Sequence, residues 1–142
     1  MQPALFDTSI YISALRQEDQ GALSVRRLAA DSPLWLSAVV LEELYAGAGN
    51  RERPVIERLE RDFERAKRIL VPSQGDWTEA GRVLARLADK YGFEQIGQGR
   101  LTNDALIAMC ARRNGIRVIT ANQRDYSRLA EFRTFQWGVA AV

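Results

Sequence analysis

Four carboxylates in this chain stand where strands are expected to give way to helices. They are Asp7 in Leu5-Phe6-Asp7-Thr8-Ser9, Glu43 in Leu41-Glu42-Glu43-Leu44, Asp104 in Thr102-Asn103-Asp104-Ala105 and Asp125 in Asn122-Gln123-Arg124-Asp125. In an open parallel sheet the carboxyl ends of the strands converge on one crevice, so residues far apart in sequence meet there. Four acids in one pocket repel one another unless protons or metal ions compensate. Hard divalent cations such as Mg²⁺ or Mn²⁺ favour oxygen ligands of this kind. The chemistry indicated is metal-dependent phosphoryl transfer.

Taken singly, each acid has an ordinary structural role. Asp7 precedes Thr8 and Ser9 at a strand-to-helix junction, where any of the three serves as an N-cap. Asp104 falls in a first helical turn, where a carboxylate suits the helix dipole, and Asp125 stands at the start of a short helix. Their common position at strand carboxyl ends is what capping does not explain. Asp104 also shares a helical face with Ile107, Ala108 and Ala111, and an acid on a buried stripe needs a partner. Glu43 aligns with Val39, Val40, Ala46 and Gly47, whereas Glu42 points about 100° away, so Glu43 is the choice. Ser9, Thr120 and Asn122 are candidates to orient the carboxylates or hold a metal-bound water. Asn103 reads as a helix cap. Arg100, just ahead of Asp104, is a candidate contact for a substrate phosphate, with simple surface solvation as the alternative.

The composition excludes much else. The chain has no histidine, which removes histidine-based acid–base ribonuclease chemistry, Ser-His-Asp and Cys-His nucleophiles, and zinc sites of the usual Cys/His type. The one cysteine, Cys110, has no partner for an intramolecular disulfide and sits among Ala108, Met109 and Ala111, which suits a small buried residue in a reducing, cytoplasmic setting. No apolar run approaches the roughly 20 residues of a membrane span, and the N-terminus lacks signal-peptide character. The net charge is +2, from 20 Lys+Arg against 18 Asp+Glu; setting the four site acids aside leaves 14 acids and a remainder of +6, which fits a phosphate-rich partner. Gly97-Gln98-Gly99-Arg100 lacks the Gly-Lys-Ser/Thr element of a P-loop and reads as a loop over the substrate. Trp35, Trp77 and Trp137 read as core or interface residues.

These residues must be positioned by alternating elements. Strands are expected at Ala4–Phe6, Leu34–Leu36, Ile69–Val71, Arg117–Thr120 and Thr134–Trp137. Helices are expected at about Ser9–Arg16, Gly21–Ala30, from Ser37 as N-cap to Ala46, Glu52–Arg68, Thr78–Tyr91 and Asn103–Asn114, with a short one beginning near Asp125. Gly47 and Gly49 are expected to close the third helix, Gly92–Arg100 to be a loop, and Gly115 to end the sixth. In Glu52–Arg68 the stripe is Val55, Ile56, Leu59, Phe63 and Ala66, with Glu57–Arg61 and Glu64–Arg68 at favourable spacing. At 142 residues, without repeats or linkers, the chain reads as a single domain over 1–142. The alternation indicates a three-layer α/β/α sandwich with a mainly parallel central sheet.

Four segments resemble, in order, the motifs of PIN-domain nucleases of the VapC toxin type: Leu5–Ile12, Ser37–Gly47, Leu101–Ala108 and Val118–Tyr126. Asn122 stands where many members carry another aspartate, and Tyr126 where phenylalanine is common. The resemblance implies a PIN-like fold with Asp7, Glu43, Asp104 and Asp125 as metal-binding catalytic residues. It further implies Mg²⁺- or Mn²⁺-dependent RNA cleavage, homodimerisation and inhibition by a cognate antitoxin. The alternative reading is a catalytically silent PIN-like module that binds RNA or protein, motivated by Asn122. A phosphatase or phosphoacceptor domain is a third, disfavoured because Asp7-Thr8-Ser9 lacks a second aspartate two residues on.

Overall fold

Short apolar runs bounded by polar residues build a sheet that is covered on both faces. The computed structural model describes residues 2–16, 33–97 and 101–140. Its strands are β1 (Ala4–Phe6), β2 (Leu34–Ser37), β3 (Ile69–Leu70), β4 (Arg117–Thr120) and β5 (Trp137–Val139). They pair in the order β3-β2-β1-β4-β5, every pairing parallel. Parallel strands need crossover connections, and these are the helices α1 (Thr8–Arg16), α2 (Ala38–Gly47), α3 (Arg53–Arg65), α4 (Gln74–Tyr91), α5 (Glu94–Gly97), α6 (Leu101–Arg113) and α7 (Gln123–Ala130). Helices on both faces give the three-layer α/β/α sandwich expected from the alternation.

The strand order fixes where a ligand belongs. From β1 the chain winds outward through β2 and β3, then returns to β4 on the other side of β1. The order therefore reverses between β1 and β4, and a crevice opens at their carboxyl ends. Register places Leu5 beside Val118 and Phe6 beside Ile119, so Asp7 and Thr120 emerge together.

The core explains why α6 is where it is. Its residues from Asp104 to Ala111 are all buried, with Ala105, Ile107, Ala108 and Ala111 wholly inaccessible. Small side chains let this helix lie close to its neighbours, and Leu5, Ile10, Leu36, Val40, Leu87, Val118 and Leu129 fill the space around it. Each such large side chain contributes about 1.5–3 kcal/mol on burial. Cys110 belongs to this core.

Several boundaries differ from the sequence reading for local reasons. Helix α4 starts at Gln74 rather than Thr78, because Ser73 and Asp76 form a capping box that begins the helix before Gly75 and Trp77. Helix α3 covers Arg53–Arg65, and Lys67 at φ 57° turns the chain so that Arg68 lies beyond the helix. Of its apolar stripe only Ile56 is buried, whereas Val55 and Ala66 are exposed. Helix α2 continues through Gly47 and closes at Ala48 in extended backbone, so no left-handed glycine is needed. Gly115, at φ 66°, does end α6 in the left-handed region. The loop expected at Gly92–Arg100 contains the turn of α5, and residues 98–100 lie outside the described residues, as does the helix expected at Gly21–Ala30. Strand β5 begins three residues later than expected. Trp35 and Trp137 are half-buried against the core, but Trp77 is exposed.

Candidate active site

The crevice between β1 and β4 collects side chains from five segments. Asp7 follows β1 directly and is buried. Its Oδ1 accepts hydrogen bonds from the Ser9 backbone N–H (3.1 Å) and from Ser9 Oγ, and its Oδ2 accepts one from Thr120 Oγ1 (2.6 Å). Both hydroxyls are themselves fixed from behind. Ser9 Oγ accepts from the Ala121 N–H at 3.1 Å, and Thr120 Oγ1 accepts from the Asn122 N–H at 2.9 Å. Each hydroxyl thus directs its single proton at Asp7, and the turn after β4 is tied to the turn after β1. Burial nevertheless pushes the Asp7 carboxyl above its ordinary value, against these hydrogen bonds.

Glu43 is brought in by α2. Ser37 caps that helix, accepting from the Val39 N–H at 3.2 Å, and thereby sets the rotation that turns Glu43 inward while Glu42 stays exposed. Thr8 Oγ1 donates to Glu43 Oε1 at 2.6 Å. Thr8 was not singled out in the sequence, because its partner lies 35 residues away and no spacing signals the contact.

Asp104 enters from the first turn of α6. Burial and the negative charges of Asp7, Glu43 and Asp125 together push its carboxyl up to about 8. Asp104 thus lies within electrostatic reach of Asp7, Glu43 and Asp125. Tyr126 Oη donates to Asp104 Oδ1 at 3.5 Å, the outer limit of a hydrogen bond. The tyrosine is fully buried, and burial with the nearby acids raises its hydroxyl well above the usual range, so it stays a donor. The hydroxyl is what this position gains over phenylalanine.

Asp125 is half-buried on α7. That helix starts at Gln123, two residues before Asp125, with Asn122 as its N-cap accepting from the Asp125 N–H at 3.3 Å. Asn122 Nδ2 also donates to Asp125 Oδ2 at 2.8 Å. An aspartate at 122 would offer a fifth carboxylate; asparagine instead donates a hydrogen bond to the fourth and orients it. Asn103 is half-buried within α6 rather than capping it, and Arg100 lies outside the described residues.

The donor chemistry suits a hard divalent cation. The acids supply only oxygen, and burial leaves Asp104 in a strongly negative field that a cation would relieve. Among the described residues, no three of them are already drawn to one ligating centre. No helix of the described residues is long and apolar enough to cross a membrane.

Comparison with known proteins places this geometry in context. A family model described as the PIN domain matches residues 4–132. No curated protein matches the chain by sequence. Among solved structures, the fold is similar to DNA-bound VapBC from Salmonella typhimurium, with a TM-score of 0.68, 20% identity and 98% of each chain covered. It is also similar to VapBC2 from Rickettsia felis bound to a promoter DNA fragment (TM-score 0.64, 21% identity, 97% of this chain and 98% of that one). VapBC-1 from nontypeable Haemophilus influenzae aligns with a TM-score of 0.58 and 22% identity over 96% of both chains.

Proposed function

The chain belongs to the PIN domain family, and from that premise we propose that it is a metal-dependent ribonuclease toxin held in check by a cognate antitoxin. What supports the reading is that Asp104 feels the charges of Asp7, Glu43 and Asp125 beside the switch point between β1 and β4. The absence of histidine leaves these acids as the means of activating water. Asp7, Glu43, Asp104 and Asp125 are the residues that would hold Mg²⁺ or Mn²⁺. Such an ion supplies a water of lowered pKa and stabilises negative charge on the phosphate.

The chain's own side chains have separate tasks. Ser9 and Thr120 hold Asp7 in one rotamer, Thr8 holds Glu43, and Asn122 holds Asp125. Tyr126, fully buried, contributes a hydrogen-bond donor at Asp104. Arg100 precedes α6 and is assigned to a substrate phosphate. The solved relatives are VapBC and FitAB assemblies, several with DNA. We take an antitoxin as the partner of this chain on that likeness, and a second copy of itself and a cytoplasmic setting as what the family resemblance implies. An acidic crevice would accept a basic antitoxin side chain as readily as a cation.

Cleavage of total cellular RNA by wild type and Asp7→Asn, with Mg²⁺, Mn²⁺ or EDTA, tests the reading. Discrete products from wild type alone, lost in EDTA, are expected. Equal metal-dependent cleavage by Asp7→Asn would remove the acids from the chemistry. RNA binding without turnover in either metal would favour a silent binding module.

A further inference from the structure

The opposite end of the molecule carries a basic counterpart to the acidic crevice. A cleft of about 570 Å³ opens at the amino ends of the strands, walled by Arg112 and Arg113 from the last turn of α6 and by Thr134, Phe135 and Gln136 from the segment before β5. A second hollow of about 250 Å³ is lined by Arg82 and Arg86 of α4 with Glu79, Phe132 and Arg133. The two meet along one stretch of chain, residues 132–136. Five arginines thus line this surface against two acids: Glu79, which pairs with Arg82 at 2.7 Å and lies 3.8 Å from Arg133, and Asp76, which is buried and paired with Arg113.

The segment is held in place by the arginines that flank it. Arg112 Nε donates to the Thr134 carbonyl at 3.2 Å and Arg86 Nη1 to the Phe132 carbonyl at 3.3 Å, and both arginines are exposed. In Phe132-Arg133-Thr134-Phe135-Gln136 the aromatic residues are half-buried and the polar ones exposed. Exposed guanidinium forks along one strip match the phosphates of a single-stranded nucleic acid, while Phe132 and Phe135 pack inward and fix the strip. A cleft of this volume lies in the range that encloses one small ligand or nucleotide.

The cleft also stands at a usable distance from the acids. Arg112 is eight residues beyond Asp104 on α6, about 12 Å along the helix axis. Helix α7 leads from one end toward the other: it begins at Gln123, after the Asn122 cap beside the acids, exposes Arg124, and ends at Ala130 just ahead of residues 131–136.

We propose that this arginine-walled cleft is an exosite that grips the phosphate backbone of the RNA substrate remote from the acids, an inference that rests on the ribonuclease reading. The test is binding of fluorescein-labelled oligouridine in EDTA, where no cleavage occurs. Wild type is compared with Arg112→Gln/Arg133→Gln, with the charge-preserving Arg112→Lys/Arg133→Lys, and with Arg58→Gln/Arg61→Gln on the exposed face of α3 as control. The glutamine pair is expected to bind at least about tenfold more weakly, and loss of two phosphate contacts lowers the slope of log affinity against log salt by about 1.4. The lysine pair retains most of the affinity, and the α3 pair binds as wild type does. In cleavage assays the glutamine pair raises KM and leaves kcat unchanged. Unaltered affinity in the glutamine pair, an equal loss in the α3 pair, or equally tight binding of a polyglutamate peptide overturns the exosite. Loss of cleavage in Asp7→Asn alongside a silent glutamine pair rejects the exosite alone; loss of binding in the glutamine pair with no cleavage by wild type rejects the ribonuclease reading alone.

Discussion

Asp104 is the residue at which the electrostatics of the crevice become measurable. Its carboxyl is raised to about 8 in the folded chain by burial first and by Asp7, Glu43 and Asp125 next, against an ordinary value near 4 when unfolded. The folded state therefore keeps a proton that the unfolded state has released. Stability from this group is full below pH 4 and falls as pH rises from about 4 to about 8. For metal-free protein, the thermal midpoint should drop between pH 5 and pH 8, and Asp104→Asn should flatten that drop. Mn²⁺ at a hundredfold above its Kd should restore about 2.7 kcal/mol at pH 8 in wild type but much less in the variant. A midpoint that rises with pH in wild type would contradict the assignment. The supporting hydroxyls are tested separately. Thr120→Val keeps the side-chain shape yet removes the donor to Asp7, and should cost about 10–100-fold in Mn²⁺ affinity, read by calorimetric titration. Thr8→Val should act alike through Glu43. Of these two, only Thr120 was legible beforehand, because it ends a strand; the Thr8 contact depends on how α1 meets α2.

At the scale of elements, local chemistry decides boundaries and tertiary packing decides which faces are buried. The Ser73–Asp76 capping box starts α4, and Asp76 also receives both Nε and Nη2 of Arg113, at 2.9 and 3.0 Å, from the end of α6. Burial pushes the Asp76 carboxyl up, but Arg113 and the Ser73 N–H outweigh it and hold the group below its ordinary value. Its stabilising contribution is present at neutral pH and lost in acid, below about pH 4. Ser73→Ala should cost about 1 kcal/mol in urea unfolding. Asp76→Asn should cost more, because it also breaks the link between two helices, and its deficit should shrink on acidification. An Asp76→Asn deficit that is constant from pH 3 to pH 7 would refute the pairing. The capping box stands in Ser73-Gln74-Gly75-Asp76 and starts the helix at Gln74, four residues ahead of the Thr78 at which it was expected to begin. The three-residue shift of β5 has another cause. Phe135 faces Tyr126 and Trp137 as part of an aromatic cluster, so an apolar alternation that resembles a strand is used for packing before the strand begins. By contrast, β1, β2 and β4 were legible because each is a short apolar run stopped by a polar residue.

For the whole molecule, the strand order links site assembly to global folding. The first strand lies at the centre of the sheet, flanked by β2 and by β4 from the last third of the chain, and the Thr120–Asp7 hydrogen bond joins residues 113 apart. Composition and alternation foretold the sandwich, but neither foretold that β1 and β4 would be neighbours; that adjacency makes one crevice out of four scattered acids. Removing β1 would open the middle of the sheet, uncover the wholly buried Leu5 and Phe6, and separate Asp7 from Thr120. On our reading of residues 1–142 as one domain, no part of the site can persist without the rest. The tryptophans provide a direct check, since Trp35 lies on β2, Trp77 on α4 and Trp137 on the edge strand β5. Urea unfolding followed by tryptophan fluorescence and by far-ultraviolet circular dichroism should give one coincident transition. Single-tryptophan variants reporting from β2 and from β5 should share its midpoint. If the β5 reporter melted first while the β2 reporter stayed folded, the half carrying β4 and β5 would be a separate cooperative unit, and the acids would be held together only when both halves are docked.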